Sequence, residues 1–390
     1  MSNKLNNIFI VDYACHPFSL DLAYKFSKKN YSIKYFFSNK INLTKNFYKF
    51  YKKDFSIFPI DVGEIPKHNF ILRRYKEIRF GKEIIDKIIK YKPKKIILVN
   101  LPIDPLYRII KFCKKRNIKT YFWIQDIYYL AIRNFFKKKK LLFFLIGYLI
   151  SRIYEYYEKY CYLNSTKNIL ITKKFLNFFP YKKKNYIKEN WVPLADLKIK
   201  DFNKKVIVKL SNSFNFIYTG TLSYKHQSDI LLSLAEKFRD ANIIILSNDK
   251  FAKELFLKAK KKSLKNFIIH KLVSYDELPT FLKNSDIGLV NLNQDSNNVC
   301  VPSKILTYYK YGLPILASMP LSNPASQNIL KYKTGLVSNP NQIEQYLSNA
   351  FKLMNNTKLR KKFSKNGKDF AIKNFNIKKI SKEFIKILEL

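Results

Sequence analysis

At 390 residues and 47% hydrophobic content the chain is too long for one ordinary core and has enough apolar side chains for two domains of about 150 to 200 residues each. The formal charge of +46 (74 basic against 28 acidic residues) would raise nucleic acid or an anionic membrane as a partner. Only nine of the basic residues are Arg, and the chain is rich in Lys, Asn, Ile, Phe and Tyr, the set that AT-rich codons favour, so composition bias accounts for most of that charge. No paired Cys and His ligands or aromatic ribonucleoprotein strand is present, which argues against nucleic acid as the partner.

The four cysteines, Cys15, Cys113, Cys161 and Cys300, are widely spaced, which predicts a reducing compartment and neither a disulfide framework nor structural zinc. The start lacks the apolar core of a signal peptide. The longest apolar run, Leu141 to Ile150, is ten residues, half of what a membrane span needs.

In chain order, Ile8 to Val11 reads as a strand, Asp12 to Phe18 as a loop, and Leu20, Leu22, Ala23 and Phe26 mark a helix. Strands follow at Ser32 to Phe37, Lys95 to Val99, Thr120 to Ile124 and Asn168 to Thr172. Helices are predicted around Ile84 to Ile89 and Leu106 to Phe112, and Tyr186 to Pro193 reads as an exit from this domain. After a polar boundary at 197–213 the alternation restarts. Strands at Phe214 to Tyr218, Ala241 to Leu246, Phe267 to His270 and Ile287 to Val290 alternate with helices at Gln227 to Phe238, Phe251 to Lys260 and Tyr275 to Lys283. Helices fill 342–390. Such alternation predicts parallel sheets covered by helices on both faces, twice over, with a ligand crevice at the carboxyl ends of the strands.

The most informative segment runs from Val301 to Ser318. Pro302-Ser303 opens a short helix, Gly312 stops it, and Pro314 to Ala317 is a buried strand. Backbone amides and the helix dipole at that opening, with Ser303 and the charge of Lys304, suit a diphosphate. Gly220, where a strand meets its helix, lets a phosphate approach the backbone, and Lys225 offers a second cation.

Four patches resemble the family 4 retaining glycosyltransferases of the GT-B fold, from bacterial surface-polysaccharide assembly. They are Pro302-Ser303-Lys304 with Gly312-Leu313-Pro314-Ile315-Leu316-Ala317, Phe216-Ile217-Tyr218-Thr219-Gly220-Thr221-Leu222, Asp276-Glu277-Leu278-Pro279 through Asn284-Ser285-Asp286-Ile287-Gly288-Leu289, and Lys188-Glu189-Asn190-Trp191-Val192. The resemblance implies an α/β protein of two doubly wound Rossmann-like domains facing a central cleft, with C-terminal helices. It implies an acceptor-binding domain at 1–196, a linker at 197–213, a nucleotide-sugar domain at 214–376, and a last helix at 377–390 packing back toward the first domain.

The implied activity is transfer of a sugar, with retention, from a nucleoside diphosphate sugar to a lipid-linked or saccharide acceptor in polysaccharide or lipopolysaccharide biosynthesis, without a metal or other cofactor. Donor contacts fall on Gly220, Thr221, Lys225, Val273, Pro302, Ser303, Lys304 and Thr307. The family's E-x7-E positions carry Val299 and Thr307, which leaves the ribose contact to Thr307 or another residue. His16 follows the first strand, either facing substrate or as an exposed loop residue. Asp126 either accepts a hydrogen bond from the acceptor or caps the next helix. These two are the candidate catalytic residues. His226 and His270 read as structural or exposed.

Lys137 to Lys140, before the run Leu141 to Ile150, reads as an interfacial helix on an anionic leaflet or as a buried helix behind a charged loop. The first reading places the enzyme in the cytoplasm, peripheral on the inner face of the plasma membrane. A catalytically silent GT-B protein that binds a nucleotide sugar or scaffolds a complex is the alternative.

Overall fold

The computed structural model describes residues 5–41, 47–65, 69–137, 140–179, 184–193, 213–223, 225–273, 277–294 and 301–390. The chain divides into two compact units, Met1–Pro193 with Ile377–Leu390, and Leu194–Asn376. All but the last residue of the expected linker at 197–213, together with Cys300, Val299, Asp276, Lys138 and Lys139, lie outside the described residues.

The first unit contains β1 (Leu5–Asp12), α1 (Pro17–Ser27), β2 (Tyr31–Ser38), β3 (Ser56–Ile60), α2 (Phe70–Tyr91), β4 (Lys95–Val99), α3 (Ile103–Lys115), β5 (Lys119–Ile124), α4 (Tyr128–Phe136), α5 (Leu141–Asn164), β6 (Lys167–Leu170) and β7 (Asn185–Ile187). The strands form one sheet in the order β3-β2-β1-β4-β5-β6-β7. Every pairing in it is parallel, with Ile10 set between Tyr35 and Ile97. Runs such as Ile96-Ile97-Leu98 are fully buried, as strands covered on both faces must be.

The second unit contains β8 (Phe214–Thr219), α6 (Ile230–Lys237), β9 (Ala241–Leu246), α7 (Lys250–Lys261), β10 (Phe267–His270), α8 (Leu278–Lys283), β11 (Ile287–Asn291), α9 (Lys304–Tyr311), β12 (Ile315–Ser318), α10 (Pro324–Lys331), β13 (Gly335–Ser338), α11 (Ile343–Asn355) and α12 (Thr357–Asn374). Its parallel sheet runs β10-β9-β8-β11-β12-β13. In each unit the first strand lies inside the sheet and the chain winds away from it in both directions. The switch points, between β1 and β4 and between β8 and β11, leave the crevice that open α/β sheets use for ligands.

The last helix, α13 (Ile377–Leu388), belongs to the first unit. Phe384 packs on Trp123 and Trp191, with ring centroids 4.8 and 5.9 Å apart. Its end is capped from the sheet. Lys95 Nζ donates to the carbonyls of Leu388 and Glu389 at 2.6 Å each, and the Tyr121 hydroxyl donates to Leu388 O at 2.9 Å. These bonds satisfy carbonyls that a helix end leaves open and set a cation at its negative pole.

Three local expectations are corrected. The segment Tyr186 to Pro193 does lead to the end of the first unit's main stretch at Pro193, but it begins inside an edge strand, Asn185–Ile187, with Ile187 opposite Leu170. The helix sought at Ile84 to Ile89 is the far end of a 22-residue helix. The run Leu141 to Ile150 is the first half of a 24-residue helix and is not buried: Leu141 is 73% exposed and Leu149 64%.

Candidate functional site

In the second unit the residues expected to meet a diphosphate gather at the switch point. β8 ends in Gly220, whose φ of +104° favours glycine and whose N–H donates to Leu246 O at 3.0 Å. The next turn is tied down by Asp249, a residue the sequence did not single out. Its carboxylate accepts the Leu222 N–H at 2.7 Å and the Ala252 N–H at 2.9 Å, capping α7, and it also takes the Ser247 hydroxyl. Farther along, the carbonyl of Lys225 accepts the Asn293 N–H at 2.8 Å, which joins the loop after β8 to the loop after β11. Gln227 Oε1 accepts from Ser318 Oγ at 3.2 Å.

Helix α9 is fixed through Tyr308. Its buried hydroxyl lies 3.2 Å from Ile217 O and 3.3 Å from Leu289 O and accepts the Thr219 N–H at 3.2 Å. The ring fills the space over Gly288, where a Cβ would stand 2.5 Å from it. Gly312, at φ +67°, ends the helix in the left-handed conformation expected of it. The helix start differs from expectation in one respect. Ser303 has helical dihedrals and makes no side-chain cap, and the Ile305 and Leu306 amides close on the Pro302 and Ser303 carbonyls at 3.3 and 3.1 Å. A tight first turn uses those two donors internally, so the capacity to hold an anion rests on the dipole and on Lys304.

Lys304 crosses in front of Gly220. Its Cε would sit 4.0 Å from a Cβ there, and its Nζ lies 3.2 Å from the centroid of the Tyr218 ring, whose π face holds a cation in place. His226 stands at the edge of the same ring, centroids 6.2 Å apart at 83°. The Ser223 backbone N–H donates to its Nδ1 at 3.0 Å, which places the imidazole proton on Nε2. Burial, and then the charges of Lys304 and Lys225, push its pKa down to about 3. The imidazole is therefore a neutral N–H donor between two cations. The only sequence sign of this was its place beside Lys225.

The other donor-site candidates lie around this cluster or along the same edge. Thr221 and Ser303 are exposed, while Pro302 and Thr307 are half-buried. Val273 follows β10, two strands from β8, in a loop held by Leu272 N–H donating to Asn248 Oδ1 at 2.8 Å.

In the first unit His16 follows β1 at the other switch point. The fully buried Asp12 at the strand's end accepts the His16 N–H at 2.8 Å and faces His16 Nδ1 at 2.7 Å. It also accepts from the Ala14 N–H, the Tyr35 hydroxyl and the Ser19 hydroxyl. Burial pushes the Asp12 carboxyl up, but the charge of His16 and the hydrogen bonds from His16 and Ser19 outweigh it and hold the pKa below the usual range. A carboxylate on Nδ1 fixes the tautomer and leaves Nε2 as a base, the division of roles that orients a catalytic histidine. Asp12 was missed because it reads as the first residue of a loop. An Asp four residues before a loop His was the available signal.

Asp126 is half-buried after β5, two strands from β1. It does not cap α4. The Tyr128 and Tyr129 amides donate to the buried Glu158 carboxylate at 3.2 Å each. Burial raises the Glu158 pKa to about 8; those amides oppose the shift and Asp126 adds to it. The Asn190-Trp191 segment is part of this unit. Asn190 and Gln125 pair through their amides, and the Trp191 indole donates to Asp21 at 2.9 Å. His270 lies apart from both clusters, its Nδ1 2.8 Å from Lys271 O. Among the described residues no three His, Cys, Asp or Glu side chains gather where they could hold a metal ion.

Comparison with known proteins bears on both units. Residues 199–370 match the family described as "Glycosyl transferases group 1". A curated relative, the uncharacterized glycosyltransferase MJ1069 of Methanocaldococcus jannaschii, is 27% identical over 277 residues, spanning 65% of this chain and 69% of that protein. Among solved structures, sucrose-phosphate synthase from Thermosynechococcus elongatus superposes with a TM-score of 0.75 at 10% identity over 98% of each chain. Anabaena HepE in complex with UDP superposes with a TM-score of 0.69 at 11% identity, over 99% of this chain and 100% of that one. These likenesses establish the GT-B fold and a relationship to glycosyltransferases.

Proposed function

We propose that this GT-B-fold relative of the glycosyltransferases transfers a sugar from a nucleoside diphosphate sugar to a hydroxyl acceptor. The observation that carries the reading is the cluster at the β8–β11 switch point, where Lys304 crosses in front of Gly220 and shares the Tyr218 ring with the neutral His226, on which the charge of Lys225 also acts. When the bond from the sugar's anomeric carbon to the diphosphate breaks, its electron pair stays on the diphosphate, and fixed cations lower the barrier most where that charge grows. The acceptor hydroxyl forms the new bond to the anomeric carbon. Its proton goes to a diphosphate oxygen if configuration is retained, as the family 4 resemblance implies. His16 Nε2, oriented by Asp12, is the alternative base. No step uses a metal.

In this reading Gly220, Thr221, Pro302, Ser303 and Lys304 take the phosphates with Lys225. Thr307 serves the ribose, Val273 the base, and Asp126 the acceptor. The acceptor is a lipid-linked or saccharide intermediate of surface-polysaccharide or lipopolysaccharide assembly, and the chain works at the cytoplasmic face of the plasma membrane. The exposed apolar first half of α5 supports that placement, and no helix among the described residues is long and apolar enough to cross a membrane.

The second reading, a silent nucleotide-sugar-binding scaffold, is favoured by Val299 and Thr307 at the E-x7-E positions. Incubating purified protein with a panel of nucleotide sugars and following nucleoside diphosphate release separates the two. The enzyme reading expects release from at least one donor and its loss in Lys304→Ala. Binding without release from any donor, with or without acceptors, would leave the scaffold.

A further inference from the structure

Helices α2, α3 and α5 of the first unit line an open groove of about 440 Å³ whose lining is basic and aromatic. At one end Arg74 forks onto Asp104, its Nε within 3.2 Å of both oxygens and its Nη2 2.9 Å from Oδ1, while the Tyr154 hydroxyl donates to Asp104 Oδ2 at 2.6 Å. That neutralises the one carboxylate lining the groove. Arg108, Lys111 and Lys115 then follow on α3 at three- and four-residue spacing, along the same lining. Like charges so spaced repel, and no carboxylate of the described residues forms an ion pair with any of the three. Tyr157, stacked on Tyr107 with centroids 4.3 Å apart, closes the α5 side.

The same helices leave an apolar surface beside this groove. On α2, in the turn that carries Arg74, Phe70 is 62% and Ile71 86% exposed; on α5, Leu142 is 67% exposed. The end of α4 joins them, with the Phe135 ring 6.1 Å from that of Phe70 and Phe136 seated over Gly147 of α5. An apolar surface of this size needs a covering partner. The groove's three other cations, none of them in an ion pair among the described residues and Lys111 over the Tyr107 ring at 5.7 Å, favour an anionic leaflet, which offers phosphates directly above hydrocarbon.

We propose that the α2–α3–α5 groove binds the phosphate of an anionic phospholipid while the exposed starts of α2 and α5 enter the same leaflet. This deepens the membrane-bound reading given above and rests on it for the source of the phosphate. Each cation near an anionic surface is worth about 1 kcal/mol, roughly fivefold in affinity.

The test is flotation of the full chain with vesicles of phosphatidylcholine alone and of phosphatidylcholine with phosphatidylglycerol. The groove variant Arg108→Glu/Lys111→Glu is compared with Lys361→Glu/Lys362→Glu, an equal charge change on exposed residues of α12, after circular dichroism shows both folded. Binding that requires phosphatidylglycerol, falls at least about tenfold in the groove variant and changes less than about twofold in the control is the expected result. Equal losses in both variants would overturn the groove.

If the native chain binds neither vesicle, the membrane reading fails and calorimetry decides the groove alone. Saturable binding of micelle-free dihexanoyl phosphatidylglycerol, lost in the groove variant, supports it. Absence of binding, inorganic phosphate binding as tightly as the lipid, or self-association that covers this face each overturns it.

Discussion

At the scale of single residues, the site is built from groups whose roles depend on neighbours far away in the sequence. His226 is neutral because it is buried and because Lys304, 78 positions later, and Lys225 repel its proton. Its folded pKa of about 3 lies below the ordinary 6.5, so between those values the unfolded chain binds a proton that the folded chain refuses. The stability from this residue is complete above pH 6.5 and is lost as pH falls toward 3, about 2 kcal/mol of it by pH 5. Thermal unfolding followed from pH 8 to pH 4 should therefore decline below pH 6.5 in the native chain and less steeply in His226→Gln. Superimposable profiles would refute the assignment. Asp12 and Asp249 were passed over in the sequence for a related reason: one reads as the start of a loop and the other as a polar residue before a helix, until distant partners such as Tyr35 and Leu222 are brought to them.

Elements were legible where their pattern was local. Continuous apolar runs marked β4, β8 and β9, and Pro302 with Gly312 bracketed α9 to within two residues. The edge strands β3, β7 and β13 were not, although the four-residue edge strand β10 was, because Ser56–Ile60, Asn185–Ile187 and Gly335–Ser338 lack the continuous apolar run of Phe267-Ile268-Ile269. Nor was the length of α2, whose first half leaves Phe70 and Ile71 exposed and so lacks the stripe that signals a packed helix.

The link from element to site is Tyr308, which holds α9 against β8 and β11 over Gly288. Gly288→Ala must displace that ring. We expect it to cost about 1–3 kcal/mol, a fall in Tm of roughly 3–10 °C for a domain of this size, together with weaker donor binding as Lys304 moves with its helix. An unchanged Tm measured by calorimetry would show that α9 is not fixed through this contact.

For the whole molecule, the alternation of strand and helix was enough to read two doubly wound domains, because the period of the pattern carries topology even where boundaries drift. The placement of Gly220, Lys304 and the Pro-led helix near one another was also readable, since their residue types mark a strand end and a helix start. The Asp12–His16 pair was not, because only the fold buries Asp12 and brings its hydrogen-bond partners, among them His16 and Tyr35, to it. Nor does any residue type name the sugar, the nucleotide base or the acceptor.

If the second unit's cluster is a diphosphate site, the chain binds nucleoside diphosphates through Lys304, which isothermal titration measures. UDP, GDP, dTDP and their sugars are titrated into the native chain and into Lys304→Ala. Saturable binding of at least one of them is expected, with a loss of about tenfold or more in the variant, the worth of a charge-assisted hydrogen bond, and Tm unchanged. Failure of every nucleoside diphosphate to bind, or binding indifferent to Lys304→Ala, would contradict that assignment.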